Sequence, residues 1–151
     1  MRHVPKSSIG VLVADDSTAI CKLIVHLLQM ERSIHLVGIA GTLEETLHLA
    51  AENTPDILLL DLHLDELDFR DPLRVKIGLL SCVRHIIGMS TRSDEQERQL
   101  AQSYGAAHLI DKFWLSEQLI PSIIGCAINK RPLPPHRQHY HREQQQTRFA
   151  S

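Results

Sequence analysis

The chain has 151 residues, 43% hydrophobic and 23% charged, the proportions of one ordinary folded domain and not of a disordered or fibrous chain. Its net charge of −2 is unevenly spread, with 11 basic against 17 acidic side chains in residues 1–129 and 5 against 1 in residues 130–151. An acidic body excludes the basic face of a nucleic-acid-binding core, and no apolar stretch exceeds six residues, the length of Ile9 to Ala14 counting Gly10, which excludes a membrane helix, since that needs roughly 20.

In chain order, five short apolar runs alternate with helix-like segments. The runs are Ile9–Ala14, His35–Ala40, Ile57–Leu60, His85–Met89 and His108–Ile110. They are nearly continuous in Val, Ile and Leu, the mark of strands buried on both faces of a parallel sheet. Between the first two, Ser17 can cap a helix carrying Ile20, Leu23, Ile24, Leu27 and Leu28 at i, i+3, i+4, i+7, i+8 spacing. Thr42-Leu-Glu-Glu45 and Ser93-Asp-Glu-Gln96 read as capping boxes opening helices over Leu43–Asn53 and Asp94–Tyr104. A further helix is expected from about Asp71 to Cys82. The last has Ser116 as a cap, and Pro121 either kinks it or begins its regular part. Five βα units in this length predict a doubly wound α/β sandwich, a five-stranded parallel sheet with helices on both faces and right-handed crossovers. Lys130–Ser151 has almost no apolar residues and is expected to be a flexible polar tail or linker.

Cys21, Cys82 and Cys126 are isolated, without CxxC or metal-finger spacing, and read as small core residues in place of a disulfide or zinc scaffold. Met1–Ser8 lacks the apolar core of a secretory signal. The expectation is a cytoplasmic protein. The tail histidines His136, His139 and His141 have no accompanying acid or cysteine, so a solvated tail is the preferred reading over a metal site.

Function in such a fold gathers at the C-terminal ends of the strands. There the runs terminate in Asp15-Asp16, Asp61, Ser90-Thr91 and Asp111-Lys112. Converging carboxylates repel by about 4 kcal/mol per pair at roughly 4 Å and an effective dielectric near 20, so the rim wants a cation. All-oxygen ligands with room for water and phosphate suit Mg²⁺. A carboxylate there is a competent nucleophile toward phosphorus, with Lys112 and the Ser90 hydroxyl placed for the phosphoryl oxygens.

Four segments, Val11-Leu-Val-Ala-Asp-Asp16, Pro55-Asp-Ile-Leu-Leu-Leu-Asp61, Ile86-Ile-Gly-Met-Ser90 and Tyr104-Gly-Ala-Ala-His-Leu-Ile-Asp-Lys112, resemble the receiver (phosphoacceptor) domains of two-component response regulators. The resemblance covers roughly residues 8–130. It implies the flavodoxin-like strand order 2-1-3-4-5 and Asp61 as the residue phosphorylated by a sensor histidine kinase or phosphotransfer protein. It further implies Mg²⁺ held by Asp15, Asp16, Asp61 and the His63 backbone carbonyl, Ser90 as the switch hydroxyl and Lys112 as the phosphoryl's ion-pair partner. A signalling domain and not an enzyme is expected, with output through an unknown downstream protein or an output domain outside this sequence, and a homodimer compatible with it. No direct nucleic-acid or membrane contact is expected of this domain.

The pattern is not complete. Asp65 stands where the family has proline, Phe69 where it has glycine, Phe113 where it has a cis-bonded proline, Leu109 at the aromatic switch position and Thr91 for a small alanine. A trans Lys112–Phe113 bond is expected, because a cis bond before a residue other than proline costs ~3–4 kcal/mol. His63 and Arg92 occupy the two variable positions that tune phosphoryl lifetime in the family. These departures motivate an alternative, a pseudo-receiver that binds protein without phosphate. An aspartyl-nucleophile phosphatase would need an acid two residues after Asp61, where His63 stands.

Overall fold

The computed structural model describes residues 8–65, 67 and 70–129. The expected tail and its histidines lie outside the described residues, as does Phe69. In chain order the elements are β1 (Ile9–Ala14), α1 (Thr18–Gln29), β2 (Ile34–Ala40), α2 (Leu43–Asn53), β3 (Ile57–Asp61), α3 (Pro72–Leu80), β4 (His85–Ser90), α4 (Glu95–Ser103), β5 (Ala106–Asp111) and α5 (Leu115–Ile128), the last entered through a 3₁₀ turn at Lys112–Trp114.

The strands form one parallel sheet in the order β2-β1-β3-β4-β5, as the sequence and the resemblance predict. Alternate residues of each central strand feed two cores. Val11, Val13, Ile57, Leu59, Ile87 and Met89 face α1 and α5, meeting Ile24, Leu28, Leu119 and Ile123. Leu12, Ala14, Leu58, Leu60 and Ile86 face α2, α3 and α4, meeting Ala50, Leu79, Ala101 and Tyr104. Nearly every residue of β1, β3 and β4 is therefore buried, which is why their sequences read as unbroken apolar runs. Cys21 and Cys126 sit in the first core, as expected of small apolar residues.

Element ends move by a residue or two. β3 and β4 take in Asp61 and Ser90, polar residues that sheet pairing with Met89 and Asp111 carries along. β5 is an edge strand beginning at Ala106, and its Ala107 and His108 are exposed, so its first half shows no apolar run. The cap of α4 is Asp94 and not Ser93: Asp94 Oδ1 accepts the Glu97 N–H at 3.0 Å. Ser17, Thr42 and Asp71 cap α1, α2 and α3, with Pro72 at the first position of α3, where its missing N–H costs nothing. α5 begins at Leu115 without a side-chain cap and runs through Pro121, so neither Ser116 nor Pro121 starts it. The preceding 3₁₀ turn supplies the entry geometry instead. No cis peptide bond occurs among the described residues, which agrees with the trans expectation at Phe113. No helix among them is long and apolar enough to cross a membrane.

Candidate functional site: an acidic rim at the strand ends

Asp15 follows β1 directly and is locked by its own backbone. Its N–H donates to the Ala40 carbonyl on β2 at 3.0 Å, and its Oδ1 accepts the Ser17 N–H at 2.8 Å. The second oxygen, Oδ2, is fully buried with no neutral hydrogen-bond donor among the described residues, and the Lys112 ammonium forms an ion pair with it at 2.8 Å.

Asp61 ends β3 and is 6% exposed. Its Oδ1 accepts the His63 N–H at 3.0 Å, a tight turn fixed by the chain itself. Its Oδ2 lies 3.4 Å from Lys112 Nζ. Burial pushes the Asp61 carboxyl above its ordinary pKa, while the His63 N–H and the Lys112 charge pull against it. For Lys112 burial acts downward, but contact with Asp15 and the charges of Asp61 and Asp15 more than offset it and hold the ammonium above its ordinary value.

Asp16 completes the group on the exposed side. Carboxylate oxygens of Asp15, Asp16 and Asp61 all lie within 4.8 Å of one another, with the Lys112 ammonium against Asp15 and Asp61. Three hard oxygen donors, one with an unbonded buried oxygen, fit a divalent cation such as Mg²⁺. The His63 carbonyl belongs to the same turn.

Ser90 is buried at the end of β4. Its hydroxyl donates to Glu97 Oε2 at 2.6 Å and accepts the Arg92 N–H at 3.1 Å. Glu97, in the first turn of α4 and 3% exposed, also meets His63 Nε2 with both oxygens at 3.1 Å. Asp61, Asp15, Asp16 and Lys112 are thus brought together as the sequence predicts. Ser90 is held by a residue that sequence reasoning did not single out. The signal was present: Glu97, Ala101 and Tyr104 share the i, i+4, i+7 face of α4, and a glutamate on the buried stripe of a helix demands a polar partner.

A doubly wound sheet with clustered acids and a lysine at its carboxyl edge defines a class of phosphate-handling α/β domains. Comparison with known proteins narrows it. Residues 11–124 match the family described as the response regulator receiver domain. The chain is 31% identical over 106 residues to the protein-glutamate methylesterase/protein-glutamine glutaminase 5 of Myxococcus xanthus, which covers 70% of this chain and 30% of that protein. A second relative, the protein-glutamate methylesterase/protein-glutamine glutaminase of Bacillus subtilis, is 26% identical over 137 residues, 83% of this chain and 38% of that one. The chain therefore spans about a third of the length of these relatives. Among solved structures, the response regulator domain of Thermotoga maritima CheB superimposes with a TM-score of 0.69 at 21% identity, over 83% of this chain and 99% of that one. A LuxR-family two-component response regulator from Aurantimonas gives 0.71 at 19% identity, over 91% and 99%. The chain belongs to the response regulator receiver domain family, and it is a signalling domain of two-component systems.

Proposed function

We propose that Asp61 is the phosphoacceptor of this receiver and that the domain spans residues 8–130. The observation that supports it is the placement of a buried carboxylate at the end of β3, facing Lys112 Nζ at 3.4 Å and flanked by Asp15 and Asp16. In the transfer an Asp61 oxygen forms a bond to phosphorus as the bond to the donor's imidazole nitrogen breaks, and the imidazole leaves with the electron pair and takes up a proton. Lys112 receives phosphoryl oxygens at a charge already poised between two carboxylates, and Ser90 is the hydroxyl that can turn toward them. Asp15, Asp16, Asp61 and the His63 carbonyl would hold Mg²⁺. When bound, the ion neutralises charge on the phosphoryl oxygens and on the acidic rim.

The donor in this reading is a sensor histidine kinase or a phosphotransfer protein, and the location is cytoplasmic. The chain's own chemistry is limited to self-catalysed phosphoryl transfer and hydrolysis. Methylesterase activity belongs to the relatives so named, and output here passes to a protein partner or to a domain outside this sequence.

The test is intact-protein and peptide mass spectrometry after incubation with acetyl phosphate, with and without Mg²⁺, on the wild type and Asp61→Asn. A Mg²⁺-dependent phosphoryl adduct on Asp61, absent from the variant, is expected. Folded protein that binds Mg²⁺ yet forms no adduct would overturn the reading in favour of a phosphate-independent binding module.

A further inference from the structure

We propose that Glu97 is a positioning residue for the Ser90 hydroxyl: it holds that hydroxyl in the unphosphorylated protein and couples its release to α4. The inference rests on the reading of Ser90 as the hydroxyl that turns toward a phosphoryl group on Asp61.

A glutamate 3% exposed must have its oxygens satisfied, and among the described residues they meet the Ser90 hydroxyl at 2.6 Å and His63 Nε2 at 3.1 Å. The hydroxyl has one proton, and that proton is committed to Glu97. One of its two lone pairs is engaged as well, by the Arg92 N–H at 3.1 Å. The Arg92 guanidinium in turn pairs with Asp94, whose other oxygen caps α4 through the Glu97 N–H. Ser90 is thus held on both its donor and its acceptor side by the loop and first turn that lead into α4.

A phosphoryl group on Asp61 competes with Glu97 for the one Ser90 proton. When Ser90 turns toward the phosphoryl, Glu97 Oε2 loses its shorter donor and is left with a His63 Nε2 contact that Oε1 shares, and the cheapest remedy is movement of the first turn of α4 toward water. The same helix is tied to the loop after Asp61 through Glu97 to His63 and through the Tyr104 hydroxyl, which donates to the Leu67 carbonyl at 3.3 Å. Leu109, in the position of the family's aromatic switch, offers no hydrogen-bonding group, so Glu97 supplies a direct link from the switch hydroxyl to α4.

The resting protein tests the hold without any phosphodonor. In the wild type, side-chain coupling constants should show a single Ser90 rotamer, and a rotationally averaged Ser90 would overturn the proposal. Glu97→Met keeps the volume but removes both acceptor oxygens, and loss of one hydrogen bond to a charged group should speed amide exchange of Arg92 by about tenfold or more. Glu97→Gln, which keeps an acceptor, should restore most of the protection, and in a Ser90→Ala background Glu97→Met should change nothing further. A second arm uses beryllofluoride with Mg²⁺ on the full chain. Freed from Glu97, Ser90 should let Glu97→Met bind it about tenfold tighter, again only while Ser90 is present. Unchanged Arg92 exchange, or an effect that survives Ser90→Ala, overturns the proposal. If the wild type fails to bind beryllofluoride, the assignment of Asp61 falls, while the resting-state arm still decides the role of Glu97.

Discussion

At the scale of single residues, the rim concentrates more negative charge than its one lysine can balance. Asp61 shows the consequence. Burial, opposed by the His63 N–H and Lys112, raises its folded-state pKa above the ordinary 3.8. A carboxyl raised in this way contributes stability that is fully present below the unfolded value and is lost as pH rises through the folded value. At neutral pH without a divalent cation, the ionised Asp61 therefore works against folding. Asp61→Asn should stabilise the protein at pH 7 in a metal-free buffer, and the gain should fade as pH is lowered toward 4. Urea titrations of both proteins across that range check it, and a gain independent of pH would show that the charge is not its source.

Helix entries and exits illustrate how local chemistry and tertiary context divide the work. α1, α2, α3 and α4 each begin at a side-chain cap whose oxygen takes a first-turn N–H. α5 has none, and it also carries Pro121 in its interior. The helix forms because Leu115, Leu119, Ile123 and Cys126 fall on one stripe and bury against the sheet. An interior proline removes a backbone donor and crowds the preceding turn at a cost of ~3 kcal/mol, so Pro121→Ala should raise the unfolding free energy by up to about that amount. Chemical denaturation of the two proteins measures it directly. The opposite sign would mean that the proline ring itself packs as a needed part of the face.

For the whole molecule, the site lies where the sheet is most buried. β1 and β3 are neighbours in the middle of the strand order, with both faces covered by helices. The carboxylates at their ends are thus fixed by strands that are buried along almost their whole length. A cation bound there engages the native state only, because the unfolded chain does not bring Asp15 and Asp61 together. Mg²⁺ at tenfold excess over its dissociation constant should therefore raise global stability by about 1.4 kcal/mol. A thermal or urea unfolding series in Mg²⁺ reads this out. The increment should be much reduced in Asp61→Asn, which loses a charged ligand.

The amino-acid sequence by itself determined the fold class, the strand positions and the acidic rim. Strands covered on both faces leave continuous apolar runs, and the residues that end those runs stand at the sheet edge by construction, so Asp15, Asp16, Asp61, Ser90 and Lys112 could be placed without coordinates. Local signals failed where long-range contacts outweighed them. The apolar run marks β5 only from His108, because an edge strand need not carry bulky apolar residues at Ala106 and Ala107. The capping-box pattern sets the start of α4 one residue early because Ser93 and Asp94 both suit a cap, and in the fold it is Asp94 that accepts the Glu97 N–H. Only the tertiary structure could show that Ser90 is bonded to Glu97, and Glu97 to His63. Those partners are separated by 7 and 34 residues, and no periodicity encodes which hydroxyl a buried carboxylate will meet once sheet and helix have closed around it.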